Sequence, residues 1–200
     1  MAVAVGDEQA VTCFGALTYD KQNKLVDETV LYDLASLTKI LATASLAMVF
    51  AQNGELRLDA PAGEYLEEIA DETLARATVA QLLAHEAGYP AWKPLFRDLE
   101  PSDVGTERGR GELFGRLVQC RREYDPGSRA IYSDLDIMTL GFVLERIGGD
   151  RLDQLATRLV FEPLGMRDVA FLPSENFARS HLCADRGVRL ARPHARRRSG

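Results

Sequence analysis

The chain has 200 residues, 46% of them hydrophobic, and its 24 basic and 30 acidic side chains give a formal net charge of −6. That size suits one good-sized domain or two small lobes, with enough apolar residues for a core. The acidic balance disfavours nucleic acid as a partner, and the basic stretch at 179–200, with seven arginines against Asp185, has no aromatic residue interleaved with its charges.

The start, Met1-Ala2-Val3-Ala4-Val5-Gly6-Asp7-Glu8, lacks a basic leader and its apolar run is too short for a signal peptide, which predicts a cytoplasmic protein. Ala2 to Val5 and Ala10 to Tyr19 are β-branched and aromatic runs separated by the turn-forming Gly6-Asp7-Glu8; they predict a β-hairpin, with a second turn at Asp20 to Lys24. From Ser36 the period changes. Leu37, Ile40, Leu41, Ala44, Met48 and Val49 recur at helical spacing until Asn53-Gly54, predicting a largely buried helix with Ser36 at its N-terminus. The longest apolar stretch, Ile40 to Ala51, falls short of the roughly 20 residues of a membrane span.

A short acidic helix is predicted at Gly63 to Ala70, and another from Thr78, its cap, to Ala84. The loop His85-Glu86-Ala87-Gly88-Tyr89-Pro90 follows, then an irregular stretch from Ala91 to Gly111 and a helix from Glu112 to Cys120. Asp125-Pro126-Gly127 is a turn. A helix from about Asp134 to Ile147 has a capping-box entry in Ser133 and Asp136 and an exit at Gly148-Gly149. Asp150 caps a helix over Arg151 to Val160, and Val169 to Leu172 is one further possible strand. Strands followed mostly by helices predict an α/β fold of the segregated, α+β kind. Cys13, Cys120 and Cys183 are too widely spaced for a metal site, so neither metal nor cofactor is expected.

The chemistry gathers at Ser36-Leu37-Thr38-Lys39 and Tyr132-Ser133-Asp134. Residues three apart share a helix face, so the Lys39 amine can reach the Ser36 hydroxyl, and an amine buried among Leu37, Ile40, Leu41 and Ala42 would have a depressed pKa suited to a base. Tyr132, on a loop ahead of a helix, can reach into a cleft as a phenol whose ionisation a nearby cation favours. Each has a bland alternative: a surface lysine beside a capping serine, a tyrosine satisfying the backbone, and an aspartate, Asp134, that caps a helix.

Four blocks resemble the serine β-lactamase-related family, which includes class C β-lactamases, D-alanyl-D-alanine carboxypeptidases and related esterases. Tyr32 to Lys39 is similar to the family's nucleophile segment, Gln81 to Pro90 to its L-L-x-H-x-S-G-x-P loop, Asp125 to Asp134 to its P-G-x-x-x-x-Y-S-N block, and Phe161 to Met166 to its F-x-P-L-G-M segment. The resemblance implies a β-lactamase/transpeptidase-like fold over 1–178, with sheet strands at about 2–19, a helical lobe at about 36–165 and an incomplete antiparallel sheet, followed by an irregular basic tail at 179–200. It further implies a serine hydrolase acting on a small ester or amide through an acyl-enzyme. Ser36 would be the acylated nucleophile and an oxyanion-hole donor through its N–H, Lys39 its base partner, Tyr132 the general acid/base, and Asp134 a substrate-binding group.

Two departures qualify this. Asp134 stands where many members have asparagine, an acceptor in place of an amide donor, which weighs against β-lactams in particular. The family's downstream K-T-G or H-x-G strand has no counterpart before Gly200, since neither Arg198-Ser199-Gly200 nor His194-Ala195-Arg196 precedes a strand. The abruptly basic sequence after about Ser180 resembles the product of a frameshift or misplaced stop. The alternative reading is therefore a catalytically silent fragment that at most binds a ligand, its unpaired sheet edge open to self-association.

Overall fold

A computed structural model of the chain describes residues 2–17, 19 and 25–171. It comprises two compact units, one formed by Ala35–Ala170 and the other containing the described residues up to Leu34. Among the described residues no helix is long and apolar enough to cross a membrane.

The smaller unit carries the hairpin. Strands β1 (Ala2–Val5) and β2 (Glu8–Val11) pair antiparallel with Val5 opposite Glu8, closed by the two-residue turn Gly6-Asp7 in which Gly6 has φ +60°. The second strand therefore starts at Glu8 rather than Ala10, because a two-residue turn commits the next residue to the ladder. It ends at Val11, far short of Tyr19, and an isolated bridge joins Ala16 to Leu25. The turn expected at Asp20 to Lys24, the basic tail and Cys183 lie outside the described residues. Val169 to Phe171 form no strand, and Leu172 lies outside the description.

The larger unit is helical. A π-helical turn over Lys39–Ala44 runs directly into α1 (Ser45–Gln52), and a 3₁₀ turn at Ala62–Glu64 precedes α2 (Glu72–Arg76) and α3 (Val79–Leu83). Then come α4 (Glu107–Val118), α5 (Asp134–Gly148) and α6 (Leu152–Ala156), the last continuing into a π-helical turn at Thr157–Phe161. Helix α5 is the hub, packing on α1, α3, α4 and α6. Its Leu135, Leu140, Val143 and Leu144 are buried against a core that includes Leu46, Phe50, Leu82 and Leu155. Each such leucine contributes about 1.5–3 kcal/mol through burial.

Four expectations change here, each for a local reason. The buried face of the first helix is Ala42, Thr43, Leu46, Ala47 and Phe50, while Leu37, Ile40 and Met48 are exposed; the π turn closes i→i+5 bonds, such as Ser45 N–H to the Ile40 carbonyl, and so rotates the face away from a 3.6-residue period. The acidic stretch 63–70 is mostly turns, and the helix follows it, where Asp71 accepts from the Thr73 and Leu74 N–H groups. Helix α4 begins five residues before Glu112, inside the stretch read as irregular, because Thr106 caps it through the Gly109 N–H. At the entry of α6, Asp150 Oδ1 accepts from the Arg151 N–H, at 2.9 Å, while the first helical N–H, that of Leu152, goes to the Glu145 carboxylate at 2.7 Å. Thr78, by contrast, caps α3 as expected, in a full capping box with Gln81.

Gly88 fixes the loop after α3. Its φ of +101° lies in the left-handed region, and a Cβ there would sit 2.6 Å from the Tyr124 carbonyl oxygen. Gly88→Ala is expected to cost on the order of 2–3 kcal/mol in urea unfolding, since backbone meets backbone and neither can yield. An unchanged midpoint would show that the loop repacks freely.

Candidate active site

Two of the sequence blocks are laced together in space. The Ile131 N–H donates to the His85 carbonyl, Gly127 N–H to Glu86, Glu123 N–H to Gly88 and Asp134 N–H to Ala91, all at 2.9 Å. The loop 85–91 thus forms a cradle for the segment 123–134. Ser133, fully buried, anchors the end: its hydroxyl donates to the Pro90 carbonyl at 2.7 Å and accepts from the Leu135 and Asp136 N–H groups, capping α5. The reciprocal half of the expected capping box is absent. The Ser133 N–H goes instead to His85 Nδ1, at 3.1 Å, and the Asp136 carboxylate has no hydrogen-bond partner among the described residues.

This scaffold brings the four predicted residues together. Lys39 Nζ donates to Ser36 Oγ at 3.1 Å, pairs with Asp134 Oδ1 at 2.7 Å, and lies 5.3 Å from the centroid of the Tyr132 ring. Ala35, immediately before Ser36, has φ +43°, a strained value for a residue with a Cβ. The serine is therefore presented on a sharp turn closed by Thr38 N–H to the Ala35 carbonyl and Lys39 N–H to Ser36.

The electrostatics reverse one expectation. Burial by itself lowers the Lys39 pKa, but the hydrogen bond and charge of Asp134, joined by those of Tyr132, outweigh it and leave the amine above its usual value. Lys39 is an ammonium. The hydrogen bond from Ser36, followed by the hydrogen bond and charge of Lys39, pulls the Tyr132 phenol below its ordinary value against the opposing effects of burial and Asp134. Asp134, expected to face substrate, here faces Lys39.

A cleft of about 470 Å³ runs from Ser36, Lys39 and Asp134 along the apolar flank of α5, where Ile137, Met138 and Phe142 line it. Its far end is fixed by Arg110, which pairs with Glu145 and stacks 5.0 Å from the Phe142 ring centroid. No group of three or more metal-ligating side chains occurs among the described residues. Two residues near the site drew no role from the sequence: His85, visible only as part of a quoted loop motif, and Asp136, read only as half of a cap.

The Beta-lactamase family profile matches residues 1–198. A protein of Escherichia coli (strain K12) named as a D-alanyl-D-alanine carboxypeptidase is 32% identical over 149 residues, covering 72% of this chain and 34% of its own. Among solved structures, a D-alanine carboxypeptidase from Burkholderia cenocepacia matches with a TM-score of 0.69 at 25% identity, over 88% of this chain and 45% of that one. A class C β-lactamase from Rhodobacter sphaeroides matches with a TM-score of 0.67 at 23% identity, over 88% and 48%. The fold is thus β-lactamase/transpeptidase-like, and the chain spans 34% of the length of the Escherichia coli relative.

Proposed function

The chain belongs to the Beta-lactamase family, and from that membership we propose that it is a serine hydrolase that opens an ester or amide through an acyl-enzyme on Ser36. The observation that carries this reading is the contact of Lys39 Nζ with Ser36 Oγ at 3.1 Å beside a Tyr132 phenol that Ser36 and Lys39 draw toward ionisation.

In the proposed reaction Ser36 Oγ attacks the substrate carbonyl carbon while the Tyr132 phenolate takes the hydroxyl proton. Lys39, held as an ammonium by Asp134, stabilises the phenolate and the charge developing beside it. Collapse of the tetrahedral adduct breaks the bond to the leaving oxygen or nitrogen, which receives the proton from Tyr132. Deacylation repeats the cycle with water: Tyr132 takes a water proton, the hydroxide adds to the acyl carbon, and the proton returns to Ser36 Oγ as the acid departs. Lys39 thus serves as a fixed charge and Tyr132 as the proton carrier, a division of labour that follows from the Lys39–Asp134 pair.

An engaged Asp134 has no amide to offer a substrate side chain, which supports simple esters and D-amino-acid amides over β-lactams. Incubation with a fluorophosphonate, followed by mass spectrometry, is expected to yield one adduct on Ser36 that Ser36→Ala abolishes. A folded protein that gives no adduct would leave only a ligand-binding role. Turnover of a p-nitrophenyl ester, a D-alanyl-D-alanine peptide and a chromogenic cephalosporin then ranks the substrate classes, with the cephalosporin expected last.

A further inference from the structure

We propose that His85 is the residue that positions Tyr132 against Ser36 and Lys39, a role that deepens the serine-hydrolase reading and rests on it. Tyr132 is 57% exposed, so core packing does not set the direction of its phenol. His85 holds it from three sides. Its carbonyl accepts from the Ile131 N–H at 2.9 Å, the residue before Tyr132, and from the Tyr124 hydroxyl at 3.2 Å. Its Nδ1 accepts from the Ser133 N–H at 3.1 Å, the residue after Tyr132. Its ring lies against the tyrosine ring itself, centroids 4.8 Å apart and planes inclined at 52°.

His85 also has a backbone that only function or packing would retain, with φ +60° on a residue carrying a Cβ. That geometry turns the carbonyl toward Ile131 and the imidazole toward Ser133 from a single residue. Because Nδ1 accepts a hydrogen bond, the ring is neutral with its proton on Nε2. Burial, followed by the Lys39 ammonium, opposes a second proton and outweighs Asp134, which favours one, and the hydrogen bond with Ser133; Asp136 Oδ2 stands 3.9 Å from Nδ1. A protonated imidazole would set a donor against the Ser133 N–H and release one of the three ties, so activity acquires an acid limb that belongs to His85 and not to Tyr132.

The test uses the full 200-residue chain and three variants. His85→Ala removes both ring and acceptor. His85→Phe keeps a ring and loses the acceptor. His85→Asn keeps an acceptor near the Nδ1 position and suits the left-handed backbone. Two quantities are read: the ionisation of Tyr132, as the ultraviolet titration difference between each protein and its Tyr132→Phe counterpart, and the rate of Ser36 phosphonylation against pH. In His85→Ala the Tyr132 ionisation is expected to move up toward that of a free phenol, and the limiting rate to fall about 10- to 100-fold with little change in half-saturating probe concentration. His85→Asn is expected to recover most of the rate and to lose the acid limb, whereas His85→Phe remains slow.

A His85→Ala protein that melts like the parent, with Tyr132 ionisation and rate unchanged, overturns the proposal. So does a His85→Asn protein, folded, that is as slow as the alanine variant. If the parent is never phosphonylated but Tyr132 ionisation still moves in His85→Ala and returns in His85→Asn, the positioning role stands and the hydrolase reading falls.

Discussion

Tyr132→Phe is expected to slow acylation of Ser36 by about 10²- to 10⁴-fold, the usual worth of a positioned general base. The fold should survive, because the ring is more than half exposed and phenylalanine keeps its contact with His85. The pH profile identifies the base independently. The Tyr132 phenol ionises below its ordinary value and the Lys39 ammonium above its own, so raising the pH deprotonates the phenol first while the cation beside it persists. The parent rate is expected to climb through an inflection below about 10, the free-phenol value, and to fall only where Lys39 loses its proton, above about 10.4. Were Lys39 the base, the rate would climb only through that higher inflection, and Tyr132→Phe would keep the climb. Lys39→Ala is expected to be slow, with its inflection moved up, because the phenol then loses the cation that favours its ionisation and the developing charge loses the ammonium that stabilises it. Near-parental labelling of that variant would remove Lys39 from the reaction.

The meeting of Ser36 with Lys39 was legible because it is local: three residues apart on one helical turn, the two side chains have little choice. The family pattern carried Tyr132 to the same place across about a hundred residues, which no periodicity could do. The charge state of Lys39 was not legible. Its sequence neighbours are apolar and predict a depressed pKa, but the decisive neighbour is Asp134, delivered by the cap at Ser133 and the backbone bond from Asp134 to Ala91. The same holds for His85, whose partner Ser133 lies 48 positions away. In the fold, strong caps at Thr78 and Ser133 marked α3 and α5 correctly, while Gly109 and Gly111 hid the start of α4 and the π turn displaced the buried face of the first helix. Local signals fail where an extra residue per turn or a small residue breaks the period.

Asp136→Asn is expected to stabilise the protein above neutral pH and to change little at pH 5. The Asp136 carboxyl is fully buried in the first turn of α5, and among the described residues neither oxygen makes a hydrogen bond of good geometry, the Ala87 amide being near but imperfectly placed. Burial raises its pKa to about 7, with the Ala87 backbone amide offsetting a part of that. The groups around it do not supply a cation: His85 accepts at its Nδ1, Tyr89 is a phenol whose ionisation burial suppresses, and the Tyr124 phenol is likewise raised. Unfolded, the same carboxyl ionises near 3.9, so between about pH 4 and 7 the folded chain binds the extra proton and stability declines as pH rises; above about 7 the loss is complete. A difference of about three pKa units corresponds to an upper bound on the order of 4 kcal/mol, which an uncharged isostere recovers only on the alkaline side. Melting parent and variant at pH 5 and 8.5 reads this directly, with a gain of several degrees expected at the higher pH alone. Equal destabilisation at both values would mean that Asp136 makes a favourable contact whatever its charge. Asp136 Oδ2 stands 3.9 Å from the His85 Nδ1 that accepts from Ser133, so below about pH 7 the neutral carboxyl sets no anion against that acceptor, and above it the ionised one does.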